Sequence, residues 1–191
     1  MTKIEITTDR LIIKDHSTDD LSEYHKLISN PNNMFFIPDL MSESIEDTRT
    51  SLNQIIEDSM NIYRKMYYFG IFLKDSTYVG EIGYSVDSID ISNNKKVNLG
   101  YFINDFFWNQ GITTEAVNAI IDFAFTKNKV LKIESGCIPE NVASEKIMIK
   151  CGFKKEAYKK NHSWVNSKWM DRVEYGMTKE EYFRHRAGNS E

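Results

Sequence analysis

What this chain has little of already narrows its function. It holds two cysteines in 191 residues, Cys137 and Cys151, too few and too far apart for a disulfide framework or a cysteine-based metal site. Three prolines and nine glycines leave no room for a proline- or glycine-rich linker, and no low-complexity stretch or internal repeat divides the chain. No apolar run is long enough to span a membrane, and the first residues lack the apolar region of a signal peptide. The expected setting is therefore a reducing cytoplasm, with no membrane partner. Basic residues are not in excess. Lys and Arg number 24 against 28 Asp and Glu, a net charge of −4, and no basic patch with interleaved aromatics stands out, which argues against a nucleic-acid partner. The mild acidity suits a cationic substrate. The four histidines, His16, His25, His162 and His185, show no metal or triad spacing, so they read as surface or structural residues and no metal is expected.

The remainder is the make-up of a globular protein, 41% hydrophobic and 27% charged, and its length suits one core. We expect a single domain over 1–186 and a polar tail over 187–191. A first strand is predicted over 4–14. Ser17-Thr18-Asp19-Asp20 then caps a helix that runs to Ser29 and is broken by Asn30-Pro31. Ile45, Leu52, Ile56 and Tyr63 recur at helical spacing and predict a helix over 43–64. Strands follow over 67–73 and 78–86, close enough for an antiparallel hairpin, then a polar loop over 87–94. Later come a strand over 130–138, a helix over 141–151 ended by Gly152, two strands over 153–165 and 168–177 and a last helix over 178–186.

The stretch from Val97 to Phe125 organises the rest. Val97, Leu99, Tyr101 and Ile103 alternate with Asn98, Gly100, Phe102 and Asn104, which is a strand. From Glu115 on, a narrow polar stripe (Glu115, Asn118, Asp122) on an apolar cylinder is a helix lying on a sheet. Between them lies Asn109-Gln110-Gly111-Ile112-Thr113-Thr114. A helix start offers backbone N–H groups without partners and the positive end of the macrodipole, and a glycine before it lets an anion approach. That segment reads as a phosphate cradle, or as an ordinary helix entrance capped by Thr113 or Thr114.

Trp108-Asn109-Gln110-Gly111-Ile112-Thr113-Thr114-Glu115-Ala116 resembles the pyrophosphate-binding motif W-G-x-G-[YIL]-A-T-E-A of GNAT acetyltransferases, nearest to the RimJ/RimL type that acetylates ribosomal-protein N-termini. Trp108, Gly111, Thr114, Glu115 and Ala116 match, while Asn109 replaces the first glycine and Thr113 a small residue. Asn tolerates left-handed backbone angles, so the first change is mild. Asn141-x-x-Ser144 followed by Lys150-Cys151-Gly152-Phe153 resembles a second family segment, and Thr8-Asp9-Arg10-Leu11 resembles the family's opening.

The resemblance implies an α+β, three-layer acyl-CoA N-acyltransferase fold. Its central sheet is mixed but mostly antiparallel, and splays between the strands at about 97–104 and 130–138. It implies an acetyl-CoA-dependent N-acetyltransferase that moves the acetyl group by direct attack of a primary amine, either a protein N-terminus or a small amine, in a monomer or homodimer. Implied cofactor contacts are Phe102 and Ile103 for the pantetheine arm, with Gly100 as a place for a strand disturbance; Asn109, Gln110, Gly111, Ile112, Thr113 and Thr114 for the diphosphate; and Asn141 and Ser144. Two familiar proton-handling side chains are missing: Asn98 stands where many relatives have Glu, and Met148 where other branches have Tyr. Candidates for the chemistry are Glu81, a base or an outward ion-pair partner; Ser144, a sulfur ligand or a packing residue; and Glu156. Cys137 and Cys151 sit in apolar settings and read as structural thiols. A different class, a non-catalytic CoA-binding or regulatory domain, is the alternative that Asn98 and Met148 leave open.

Overall fold

The computed structural model describes residues 3–188. The last three residues of the polar tail expected over 187–191 lie outside them. Strands are β1 (Glu5–Thr7), β2 (Leu11–Asp15), β3 (Met66–Leu73), β4 (Tyr78–Ile89), β5 (Lys95–Ile103), β6 (Val130–Cys137), β7 (Lys154–Val165) and β8 (Lys168–Thr178). Helices are α1 (Leu21–Ile28), α2 (Pro31–Met34), α3 (Ile45–Ser59), α4 (Ile112–Lys127), α5 (Val142–Lys150) and α6 (Lys179–Gly188). The sheet has eight strands in the order β1-β2-β3-β4-β5-β6-β8-β7, and it is mixed because β5 and β6 run parallel. No helix among the described residues is long and apolar enough to cross a membrane.

Two compact units emerge from the backbone contacts: the chain up to Ser85 with Gly100–Ala119, and Val86–Leu99 with the chain from Ile120 on. In the first, the strand expected over 4–14 is two strands folded on each other, Glu5 opposite Lys14, because Thr8–Arg10 turn back. Thr8 drives the turn by accepting the Leu11 N–H on its hydroxyl at 3.0 Å. β2 pairs with β3 and β3 with β4, all antiparallel. Asp15 ends β2 in a buried ion pair with Arg64 at 2.6 Å, and the guanidinium also lies 4.5 Å from the Tyr67 ring centre. Removing either partner would strand a buried charge, at a cost of roughly 3–5 kcal/mol.

Above the β3–β4 face, α1 contributes Tyr24, Leu27 and Ile28 and α3 contributes Leu52 and Ile55 to one core cluster, with Tyr68, Tyr78 and Phe102 packed against it. Leu27 and Leu52 are each 1% exposed, so truncating either to Ala costs roughly 2–5 kcal/mol. α3 is shorter than expected. Ser44 caps it by accepting the Asp47 N–H, and it ends at Ser59, leaving Ile62 and Tyr63 exposed beyond the packed face.

In the second unit, β6 pairs antiparallel with β8, and β8 with β7. β4 carries on to Ile89, so the loop expected over 87–94 is strand in its first three residues and loop over 90–94. β5 pairs in parallel with β6 from Lys95↔Val130 to Asn98↔Glu134, with a register shift between Lys95 and Lys96 rather than at Gly100. The parallel register stops there although β5 runs on to Ile103. The Leu99 carbonyl accepts instead from the Ser135 hydroxyl at 3.0 Å. Such an incomplete pairing is what a splayed pair of strands requires. Asn141 caps α5, and Gly152 follows the helix at φ +90°, a left-handed angle that suits glycine.

Candidate active site

The loop between β5 and α4 is built by backbone angles. Asn109 has φ +61° and Gly111 φ +74°, so the family's first glycine position is left-handed here and Asn occupies it. α4 begins at Ile112, and the Glu115 N–H bonds to the Gly111 carbonyl at 3.1 Å. The helix therefore starts from Gly111, not from Thr113 or Thr114 as the capping pattern suggests, and Ile112, Thr113 and Thr114 form its first turn. The N–H groups at such a helix start point out of the helix toward the loop.

The loop is held from both sides. Asn104 accepts the Phe106 N–H at 3.0 Å, Gln110 donates its side-chain amide to the Phe106 carbonyl at 3.1 Å, and the Trp108 indole donates to the Ile103 carbonyl at 3.1 Å. Arg10 reaches over from the β1–β2 turn. Its guanidinium bonds to Glu115 at 2.6 Å and to the Gln110 carbonyl at 2.9 Å. A Cβ placed on Gly111 would stand 3.5 Å from that guanidinium. Left-handed backbone, helix-start amides and an adjacent guanidinium suit the diphosphate of coenzyme A, so the residues present fit that group.

Of the arm contacts expected on β5, the Ile103 carbonyl is already held by Trp108 and its side chain is buried. The Phe102 side chain packs toward the α1–α3 cluster. A Cβ on Gly100 would meet no atom within 4 Å, which leaves that stretch of backbone approachable. Asn141 accepts the Ser144 N–H at 3.1 Å as the α5 cap. The Ser144 side chain hydrogen-bonds the Cys137 thiol. Burial pushes the Cys137 and Cys151 thiols up to about 11, which disfavours the thiolate that an acyl carrier needs.

The three carboxyl and hydroxyl candidates are not equivalent. Glu156 is largely solvent-facing, paired with Lys132 at 2.8 Å in a surface ladder in which Lys132 also meets Glu134 and Lys96 meets Glu134 and Asp87. Glu81 is not the outward ion-pair partner its mid-strand position allowed. It is 5% exposed, and its register partner on β3 is Gly70, over which the Phe72 and Tyr78 rings pack. Its Oε2 lies 3.3 Å from Nε2 of His16, a residue 2% exposed that sequence reasoning read as merely surface or structural. His16 Nδ1 lies 3.3 Å from Asp20 Oδ2, and Asp20 also accepts the Ser17 N–H at 2.8 Å. The Tyr24 hydroxyl bonds to Glu81 as well. Burial works against the imidazolium, but the two carboxylates outweigh it and raise the His16 pKa to about 9. A histidine directly after a strand and four residues before an acid was the one local sign of this arrangement.

Comparison with known proteins agrees with this geometry. The acetyltransferase (GNAT) domain family matches residues 10–154, and the chain belongs to that family. It is 25% identical to the ribosomal protein uS5 alanine N-acetyltransferase of Escherichia coli, over 92% of this chain and 91% of that one. A GNAT-family acetyltransferase of known structure from Bacillus anthracis superposes with a TM-score of 0.78 at 26% identity, over 93% of this chain and 99% of that one. Spermidine N-acetyltransferase of Vibrio cholerae, solved with CoA and spermine, superposes at 0.80 with 19% identity, over 92% of this chain and 99% of that one. The chain is an acetyl-CoA-dependent N-acetyltransferase, and no relative supports the reading as a non-catalytic CoA-binding domain.

Proposed function

We propose that the acceptor is a primary amine, a protein N-terminus or a small amine, which attacks the thioester directly with no covalent enzyme intermediate. Acetyl-CoA supplies the activated acyl group. The chain's own residues do the rest. The first-turn amides of Ile112, Thr113 and Thr114, with Asn109, Gln110 and Gly111, hold the diphosphate; the β5 backbone near Phe102 lies along the arm and supplies an N–H for charge developing on the acyl oxygen. Glu81 is the carboxylate for the acceptor nitrogen. It takes the proton that the nitrogen sheds as the C–N bond forms, and it returns that proton as the thiol leaves. Positioning supplies much of the rate, since oriented reactants reach effective molarities on the order of 10⁵ M or more. Ser144 and Glu156 are the lesser candidates. Ser144 is engaged with Cys137 and Glu156 with Lys132.

The observation that carries this reading is the left-handed pair Asn109 and Gly111 opening the start of α4 beside Arg10. The test is thiol release from acetyl-CoA with spermidine and with a peptide beginning in alanine, alongside calorimetry of acetyl-CoA on the wild type and on Gly111→Trp. Release with either amine, and affinity lost in the variant, is expected. Unchanged affinity in the variant removes the cradle assignment; binding without release to any amine removes the catalytic one.

A further inference from the structure

Three buried side-chain polar atoms among the described residues lack a well-directed hydrogen bond: His16 Nε2, Glu81 Oε2 and Tyr78 Oη. The imidazole has no accessible surface of its own and lies between two carboxylates, Glu81 on one ring nitrogen and Asp20 on the other, at 3.3 Å each. Neither Glu81 nor His16 is fixed by a backbone group on the side where they face each other, whereas Asp20 is pinned by the Ser17 N–H as part of a capping box. Order therefore passes inward from the anchored Asp20 to His16, which meets a Glu81 carboxylate that the Tyr24 hydroxyl also bonds. Asp20 also lines a cavity of about 370 Å³ with Asp19, Glu23, Phe72, Ser76 and Tyr78.

We propose that His16, anchored by Asp20, is a positioning residue for the reaction: it holds the Glu81 carboxylate aimed for the acceptor nitrogen. This rests on Glu81 being the carboxylate that serves that nitrogen. The imidazole and the Tyr24 hydroxyl both meet that carboxylate, and together they fix where it lies. The other ionisable neighbours are Tyr24 on α1, Tyr68 on β3 and Tyr78 on β4, whose pKa values are all raised, by burial first and then by the Glu81 charge. Lys14 on β2 acts on Asp20, and Glu23 on α1 acts on Tyr78. The three tyrosines stay neutral through the working range. The second carboxylate partner, Glu81, lies on β4, the neighbour of β5 in the sheet. A Cβ on the adjacent Gly80 would lie 2.5 Å from the Phe102 carbonyl oxygen, so this part of β4 runs directly against the strand that carries the arm contacts.

The experiment is a double-mutant cycle on thiol release, with spermidine and an alanine-initiated peptide as acceptors, using His16→Asn, Asp20→Asn, Glu81→Gln and the pair His16→Asn with Glu81→Gln. His16→Asn should lower kcat at least 10-fold with the KM for acetyl-CoA unchanged, and should abolish the alkaline limb that deprotonation of the imidazolium gives the wild type. In the Glu81→Gln background the histidine change should cost nothing further. Asp20→Asn, at a less buried residue, guards against loss of folding and should bring the alkaline limb down as the imidazolium becomes easier to deprotonate. Heteronuclear NMR of the imidazole should show it titrating well above its ordinary value, and lower in either acid variant. Additive losses in the cycle, an unmoved pH profile, or an imidazole that titrates near 6.5 would overturn the assignment. Thiol release by the wild type with neither amine would instead be the failure of the acceptor reading itself.

Discussion

Arg10 and Glu115 stand 105 residues apart in the chain and meet through a 2.6 Å bond from guanidinium to carboxylate. The same carboxylate accepts the Arg10 backbone N–H at 3.0 Å and the Thr8 hydroxyl at 2.6 Å. Burial alone would raise the Glu115 pKa, but these donors hold it below the usual carboxylate range. The acid sits in the first turn of α4, where the helix dipole also favours it. The Thr-x-Arg-Leu opening and the T-E-A of the cradle are therefore two halves of one clasp.

Arg10→Gln should loosen that clasp. Acetyl-CoA affinity is expected to fall about 10-fold, roughly 1.4 kcal/mol, with most of the loss recovered by pantetheine-length ligands that lack the diphosphate. Calorimetry on both ligands checks it. Equal loss for both would place the effect elsewhere.

The two left-handed positions should respond oppositely to substitution. Asn109→Gly restores the residue suited to φ +61° and should leave stability equal or higher by up to ~1 kcal/mol, whereas Asn109→Val should destabilise by about 1–2 kcal/mol. Gly111→Ala meets only the Arg10 guanidinium at 3.5 Å, so its cost is the backbone angle, about 1 kcal/mol. Urea unfolding of the three variants reads these differences.

Glycines in the sheet divide by space. A Cβ on Gly83 would sit 2.1 Å from the Tyr67 carbonyl oxygen, so Gly83→Ala must push β3 and β4 apart and should cost about 3 kcal/mol through overpacking against backbone. Gly100→Ala, which meets nothing, should fold with a thermal midpoint within about 2 °C of wild type. Circular dichroism melts separate the two.

Stability should also depend on pH through His16. Its folded pKa, about 9, lies above the unfolded value, so its contribution is complete below about 6.5 and is lost as pH rises through about 9. The loss is on the order of 3 kcal/mol between those limits. Denaturant midpoints at pH 6 and pH 9.5 test the sign, and His16→Asn should flatten the dependence. A wild type more stable at the higher pH would contradict it.

The thiols should be dispensable. With both pushed up to about 11 by burial, Cys137→Ala and Cys151→Ala should keep turnover within a few-fold, and alkylation at pH 7.5 should be slow in the native protein. Loss of turnover in the double variant, with folding intact, would reopen an acyl-enzyme route.

Much of the fold was legible because its signals are local. The alternation from Val97 to Ile103, the apolar cylinder of α4, the Asn141 cap and the Gly152 stop all follow from neighbours within a turn or two, and the structure has them within a few residues of the expected places. Boundaries drifted where the deciding contact was distant. α3 stops at Ser59 because the face beyond it finds nothing to bury against, and the first strand folds into two because Thr8 and Arg10 turn to meet α4.

By itself, the sequence determined most of the order of elements, the family, and a loop before α4 whose Asn109 and Gly111 tolerate left-handed angles, since each depends on backbone preferences and short-range pattern. Only the tertiary structure decided what surrounds the charged residues. Glu81 read as either a base or an outward ion-pair partner, and His16 as surface or structural, until strand pairing opposite Gly70 and the packing of α1 enclosed both. Burial converts a weak surface pairing into a strong electrostatic commitment, and burial is a property of contacts between segments that no local pattern encodes.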